Sequence, residues 1–219
     1  MWRHPFLLAL AGSVVGYLSA VSIAPELVRW AFHKEGAVEH ASHLVLLVAI
    51  GLFAQAALVV RGAARPLAAF MVVYLAWLLL EETDYGLVYH LDLGGMALRE
   101  MLGVPNLHNA GHATSLVGSA MFWIAAPLGV YSVLGLVPRL RLALAPVSPT
   151  RRESVGLVLA CIATVVFDSL RPLAWRLGEE SLRSEPESSA MGFFQTVLYG
   201  MLAAVAWRSA RQDAHVGEG

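Results

Sequence analysis

Six apolar segments constrain the fold of this chain more than any motif that it carries. They span residues 6–30, 41–60, 66–88, 110–137, 154–175 and 190–207. A helix needs about 20 apolar residues to cross the hydrocarbon of a bilayer, and these segments meet or approach that length. The chain is 58% hydrophobic and 14% charged, whereas soluble domains carry about 25% charged residues. The sequence therefore predicts an all-α polytopic membrane helix bundle with six transmembrane helices.

The segments are close together along the chain, which predicts one domain. We expect a single six-helix transmembrane domain over residues 1–208 and a polar C-terminal tail at 209–219. Apolar residues recur at helical spacing near 95–103, which predicts a short helix lying in the membrane interface. The first segment resembles a signal peptide, but its apolar run is long for that role, so we interpret it as a retained helix. The single cysteine excludes an intrachain disulfide.

The distribution of charge predicts the orientation. With six spans both termini share one side, and that side carries nine of the 15 basic residues. The positive-inside bias then places both termini in the cytoplasm. The other side carries 13 of the 16 acidic residues and six of the eight histidines. This acidic face is a candidate docking surface for a protein partner, while the scattered basic residues give no sign of nucleic-acid binding.

The run LEETDYGLVYH, residues 80–90, places three carboxylates within or at the edge of the third predicted span. These are Glu81, Glu82 and Asp84. Carboxylates so close together repel one another, and loss of water disfavours their charged forms. Acidic side chains at membrane depth usually face the bundle interior and pair with a positively charged group. The alternative is that they lie at the interface and reach water directly.

Histidines at helical spacing supply candidate partners for these acids. Glu39 and His43 are four residues apart, as are His108 and His112, so each pair shares a helix face. Gln195 and Tyr199 form a similar pair in the sixth segment. Because lipid cannot solvate polar stripes, we expect them to face one another.

Imidazole nitrogens and carboxylate oxygens suit zinc, iron or manganese, and helix bundles build such sites from facing helices. A metal there could lower the pKa of a bound water or, if redox-active, activate oxygen. We predict a divalent metal, zinc or iron, with the ligands Glu39, His43, Glu82, His108 and His112. The predicted catalytic residues are Glu82, Asp84 and His108.

Two short runs carry a resemblance to a known group of proteins. EETDYG at 81–86, followed by NLHN at 106–109, resembles a pattern in multi-pass bacterial membrane proteins of unassigned function. That pattern is E-E-x-x-x-G at the end of one helix and N-L-H-N before the next. The resemblance implies that its matched residues act as a unit in a bacterial inner (cytoplasmic) membrane. The matched residues are Glu81, Glu82, Gly86, Asn106, His108 and Asn109.

A weaker likeness is to the alkaline-ceramidase-like membrane hydrolases. Those enzymes arrange three histidines, an aspartate and a serine around zinc in a seven-helix bundle. The likeness implies hydrolysis of a lipid at a zinc site. In this chain, the residues of these types that could hold zinc in the same way are Ser42, His43, Asp84, His108 and His112.

Three classes of function remain open from the sequence. The first is a metal-dependent enzyme acting on a membrane lipid or another amphiphile in the outer half of the bilayer. The second is a non-catalytic subunit of a respiratory or photosynthetic complex, with haem or chlorin on a histidine. The third is a proton or cation carrier, which the sequence favours less because the cytoplasmic half lacks matching acids.

Overall fold

The computed structural model describes residues 5–24, 27, 30–31, 36–103, 120–176 and 186–212. All regular secondary structure in these ranges is helical, which confirms the all-α prediction. Each of the six apolar segments overlaps one α-helix of 14 or more residues. The α-helices are α1 Pro5–Ile23, α2 Ala37–Val59, α3 Ala64–Glu82, α4 Gly95–Leu102, α5 Ala120–Val133, α6 Pro138–Ala143, α7 Arg151–Arg176 and α8 Pro186–Gln212, with 3-10 turns at Leu87–Tyr89 and Leu134–Leu136.

Two of the described helices, α2 and α3, are long and apolar enough to cross a membrane. Both carry large apolar side chains that stay exposed in the described part of the protein. Leu44 and Leu58 on α2 and Val73 on α3 are more than 60% exposed. Apolar surface of this kind is typical of contact with lipid or with another protein. The six-span arrangement and the cytoplasmic termini stay predictions.

The packing of α8 organises the bundle. This helix makes its most extensive contact with α2, and it also packs against α7 and α1, while α2 packs against α3 and α7 against α5. On α2 the fully buried side chains of Leu46, Ala49, Phe53 and Ala56 follow one another at three- and four-residue steps. That spacing gives the helix a single buried face. The contacts of α8 with α2, and of α2 with α3, bring one end of all three helices together.

An arginine joins α7 to α8 at the other end of the bundle. Thr150 and Glu153 form a capping box, in which the backbone N–H of each donates to the side chain of the other. The guanidinium of Arg208 donates to both carboxylate oxygens of Glu153, each over 3.0 Å. It also donates to the backbone carbonyls of Pro146 and Ser148, over 2.9 Å each. We call these four residues, Arg208, Glu153, Pro146 and Ser148, the Arg208 clamp.

The third helix ends earlier than its apolar segment predicts. The segment runs to residue 88, but α3 ends at Glu82, because Asp84 and Tyr85 adopt left-handed backbone angles with φ of 50° and 54°. Gly86 follows with φ of 91°, and a Cβ there would lie 2.8 Å from the carbonyl oxygen of Leu91. Left-handed residues end a helix and reverse the chain. We call residues 83–90 the αL turn.

The short helix predicted near 95–103 is present as α4. Its start is held by Asp92, whose Oδ1 accepts hydrogen bonds from the backbone N–H groups of Gly94 and Met96. Met96 and Met101 are exposed on it, beside Leu91 and Leu93 in the preceding segment. An exposed apolar surface on a short helix fits a place in the membrane interface, which stays a prediction.

Candidate functional site

Two histidines of α2 share one tyrosine hydroxyl. His43 is buried, with 2% of its surface exposed, and its Nδ1 lies 2.8 Å from the hydroxyl oxygen of Tyr89. The exposed His40, one turn earlier on the same helix, places its Nδ1 3.2 Å from the same oxygen. The αL turn makes this contact possible, because it folds Tyr89 back toward the start of α2. The hydroxyl therefore connects a solvent-exposed imidazole with a buried one.

The other ring nitrogen of His43 has no such partner. Nε2 is buried and, among the described residues, makes no hydrogen bond of ordinary geometry. The backbone of Glu82 approaches the ring as a hydrogen-bond acceptor, so the end of α3 satisfies the imidazole in part. Buried polar atoms in folded proteins are nearly always hydrogen-bonded, and an exception is often the place of a water, an ion or a ligand. This nitrogen is the clearest candidate for ligand binding in the described part of the chain.

The carboxylate of Glu82 points toward α8. Its Oε1 accepts hydrogen bonds from Nε2 of Gln195 and from the hydroxyl of Tyr199, each over 3.3 Å. Gln195 and Tyr199, which the sequence places on one face of the sixth apolar segment, therefore bind a carboxylate at the end of α3. We call this group and the histidine–Tyr89 group, which are linked by the backbone of Glu82 at the ring of His43, the polar cluster. Its members are His40, His43, Glu82, Tyr89, Gln195 and Tyr199.

Glu81 lies next to the polar cluster but has a different partner. Only 1% of its surface is exposed, and its Oε1 accepts a 2.6 Å hydrogen bond from the hydroxyl of Tyr85 in the αL turn. Partial burial and this hydrogen bond raise the pKa of Tyr85 to about 12. Partial burial also raises the pKa of Tyr89, and the negative charge of Glu39 adds to the shift. Glu39 therefore acts on the polar cluster through its charge.

We expect Tyr85→Phe to change the alkaline stability of the protein. Because the pKa of Tyr85 is raised from 10.0 to about 12 on folding, its proton stabilises the folded state fully below pH 10. That contribution disappears as the pH rises through 12. The difference in unfolding midpoint between the wild type and Tyr85→Phe should therefore be constant at neutral pH. It should become smaller as the pH rises from 10 to 12. Thermal unfolding in detergent at a series of pH values measures it; a difference that stays constant throughout would contradict the expectation.

The predicted metal ligands are described only in part. His108 and His112 lie outside the described residues, so the predicted sharing of a metal between His112 and Glu82 is not tested. In the ranges that the structure covers, no group of three or more histidine, cysteine, aspartate or glutamate side chains is placed to hold a metal ion. The ring of His43 lies beside the backbone of Glu82, while the carboxylate of Glu82 contacts Gln195 and Tyr199, so a complete ligand set would need the remaining predicted residues.

The predicted catalytic residue Asp84 has a different setting from the one that its spacing indicated. In a helix continued to residue 88, Asp84 and Tyr85 would share a face with Glu81, but both residues follow the end of α3 and adopt left-handed angles. The Tyr85–Glu81 contact forms all the same, through the reversal of the chain. Residues held in left-handed angles without being glycine are uncommon and cluster at functional sites. The αL turn is therefore part of the candidate site.

Sequence reasoning did not assign Tyr89 to the site. Spacing rules apply within one helix, and Tyr89 reaches His43 only because the chain reverses between them. A possible signal was the run TDYG, since aspartate and glycine are common where a helix ends in a turn.

Comparison with other proteins adds no identification. No protein-family model, curated protein or solved structure matches this chain. The function has to be inferred from the polar cluster itself.

Proposed function

We propose that this chain is an integral membrane protein with six spans and both termini in the cytoplasm. We further propose that its polar cluster binds a divalent metal ion and that the protein is a metal-dependent enzyme acting on a lipid or another amphiphile. The observation that carries the proposal is the buried imidazole of His43, whose Nε2 has no hydrogen bond of ordinary geometry among the described residues and whose ring meets the backbone of Glu82.

The donor set supports a zinc or iron site. His43 offers a neutral nitrogen and Glu82 an anionic oxygen, a combination that suits these metals. Gln195 and Tyr199 both donate to Oε1 of Glu82, which fixes the position of the carboxylate without neutralising it. The remaining ligands in the proposal are the two His residues that the sequence supplies, His108 and His112. Such a metal supplies Lewis-acid chemistry and lowers the pKa of a bound water.

The surroundings of the polar cluster support an amphiphilic substrate. The segment that follows the αL turn carries exposed apolar side chains at Leu91, Leu93, Met96 and Met101. These side chains follow closely after Tyr89 in the chain, so an acyl chain could lie against them while its polar end approaches His43. The apolar outer faces of α2 and α3 support the membrane location in the same way.

Metal content is the test of this proposal. We expect elemental analysis of the detergent-purified protein to give about one zinc or iron per chain, and the protein to be colourless if the metal is zinc. A strong visible absorbance band from haem or chlorin would support the alternative, a subunit of a respiratory or photosynthetic complex. A protein with neither metal nor pigment after purification without chelators would rule out both.

A further inference from the structure

We infer that the connection between α5 and α7 binds the anionic headgroups of the lipid leaflet that borders this end of the bundle. Residues 134–152 comprise this connection and the first two residues of α7, and we call them the basic connection. They include the short helix α6. The inference goes beyond the proposed enzyme, because it rests on the membrane location and not on the metal.

The basic connection carries positive charge that its own sequence does not balance. It has four arginines and no acidic residue or histidine. The next acid in the chain, Glu153, already binds the guanidinium of Arg208 through both of its carboxylate oxygens. A surface with such an excess of positive charge favours an anionic ligand. The arginines are Arg139, Arg151 and Arg152, which are exposed, and Arg141, which is half-buried.

Large apolar side chains are exposed among these arginines. They are Leu136, Val137, Leu140 and Leu142, and Leu142 is 74% exposed. Apolar side chains beside arginines are typical of a membrane interface, where the former reach the acyl chains and the guanidinium groups reach the phosphates. A soluble anion would pair with the arginines but would leave the leucines in water. The combination therefore favours an anionic phospholipid as the ligand.

Buried hydrogen bonds hold the basic connection against the bundle. The hydroxyl of Tyr131, a buried residue of α5, donates to the backbone carbonyl of Val147 over 2.8 Å. The hydroxyl of Ser148 donates to the backbone carbonyl of Arg141 over 3.0 Å. Together with the Arg208 clamp, these hydrogen bonds fix the backbone that carries the arginines. Because the surface is ordered in advance, a headgroup that binds there loses little affinity to the ordering of the protein.

The stability of α7 does not account for the arginines at its start. Arg151 and Arg152 lie in the first turn of this helix. The N-terminus of a helix carries a partial positive charge, which disfavours cations in the first turn. We therefore expect Arg151→Gln to leave the unfolding midpoint in a neutral detergent unchanged or slightly higher. A role in lipid binding and a role in stability are distinguished by this measurement.

The test is a titration of the detergent-purified protein with short-chain phosphatidylglycerol, which is anionic, and with zwitterionic phosphatidylcholine of the same chain length. Native mass spectrometry counts the bound lipid. We expect the wild type to prefer phosphatidylglycerol. An arginine near an anionic membrane surface contributes about 5-fold, so the double variant Arg139→Gln with Arg151→Gln should bind about 25-fold more weakly at an unchanged unfolding midpoint. Leu142→Ser should weaken binding about 5-fold, because it removes an apolar contact with the acyl chain.

Arg99→Gln is the matched control. Arg99 is an exposed arginine on the other short helix, α4, where Asp92 and Glu100 are close to it in the sequence. This variant should keep the wild-type affinity for phosphatidylglycerol. Equal wild-type affinities for the two lipids would overturn the inference, as would equal affinities of the wild type and the double variant for phosphatidylglycerol. Equally tight binding of glycerol phosphate or heparin would also overturn it, since neither carries an acyl chain. Metal content does not enter this measurement, so the lipid inference and the metal proposal fail independently.

Discussion

Glu82→Gln is expected to remove most of the bound metal while the protein still inserts and folds. The amide oxygen of a glutamine can accept the same hydrogen bonds from Gln195 and Tyr199 that Oε1 of Glu82 accepts now. Contact with α8 should therefore persist. The negative charge is lost, however, and an amide is a much weaker ligand for zinc or iron than a carboxylate. We expect metal content below about a tenth of the wild-type value, since even outer partners of a metal site contribute 10-fold or more.

Elemental analysis and thermal unfolding of the same samples measure this effect. The matched control is Glu100→Gln, which removes one exposed carboxylate on α4 and should change neither metal content nor stability. His108→Ala should lose metal as Glu82→Gln does, because the proposal makes both residues ligands. If both variants keep the wild-type metal content and unfolding midpoint, the carboxylates only mark the water boundary, and the enzyme proposal fails with them.

Arg208→Ala is expected to cause a large loss of stability at a site away from the polar cluster. The guanidinium donates hydrogen bonds to a carboxylate and to two backbone carbonyls at the same time. The side chains of Arg208 and Glu153 are 24% and 16% exposed, so water can replace these contacts only in part. Breaking a fully buried pair costs about 3–5 kcal/mol, and partial exposure lowers the expected cost to about 2–3 kcal/mol. For a chain of this size, that corresponds to a midpoint about 5–10 °C lower.

Arg211→Ala is the matched control for the Arg208 clamp. Arg211 is an exposed arginine on the same helix, stacked 3.9 Å from the ring centroid of Trp207. An exposed contact of this kind contributes about 0.5–1 kcal/mol. Arg208→Lys should give an intermediate result, because lysine keeps the charge but cannot bind a carboxylate and two carbonyls together. Equal unfolding midpoints for Arg208→Ala and Arg211→Ala in detergent would show that the clamp contributes no special stability.

Length and apolar character predict the helices of this protein well, because burial in the bundle and, in the proposed membrane location, contact with lipid both select apolar residues. The second segment, 41–60, closely matches Ala37–Val59. The third segment, 66–88, predicts the end of its helix wrongly. Leu87 and Val88 continue its apolar character, but the chain has already left the helix at Glu82. Hydropathy carries no information on the left-handed backbone angles at Asp84 and Tyr85 that end it.

The candidate site could be predicted only where its residues share a helix face. Gln195 and Tyr199 are four residues apart, and both donate to Glu82. The contact between Tyr89 and His43 joins two elements through a chain reversal, so no spacing rule connects these residues. The same holds for Arg208 and Glu153, which are 55 residues apart. In the sequence, Arg208 contributes only to the count of basic residues that predicts orientation.

The place of α8 between α2 and α7 has a consequence for biogenesis. The hydrogen-bond donors for Glu82 follow it by 113 and 117 residues in the chain. A ribosome therefore completes α2 and α3 well before Gln195 and Tyr199 exist. During that interval the carboxylate of Glu82 lacks these two donors. A ribosome that stalls before α8 leaves a product whose α2 lacks its main packing partner, so its buried face stays uncovered.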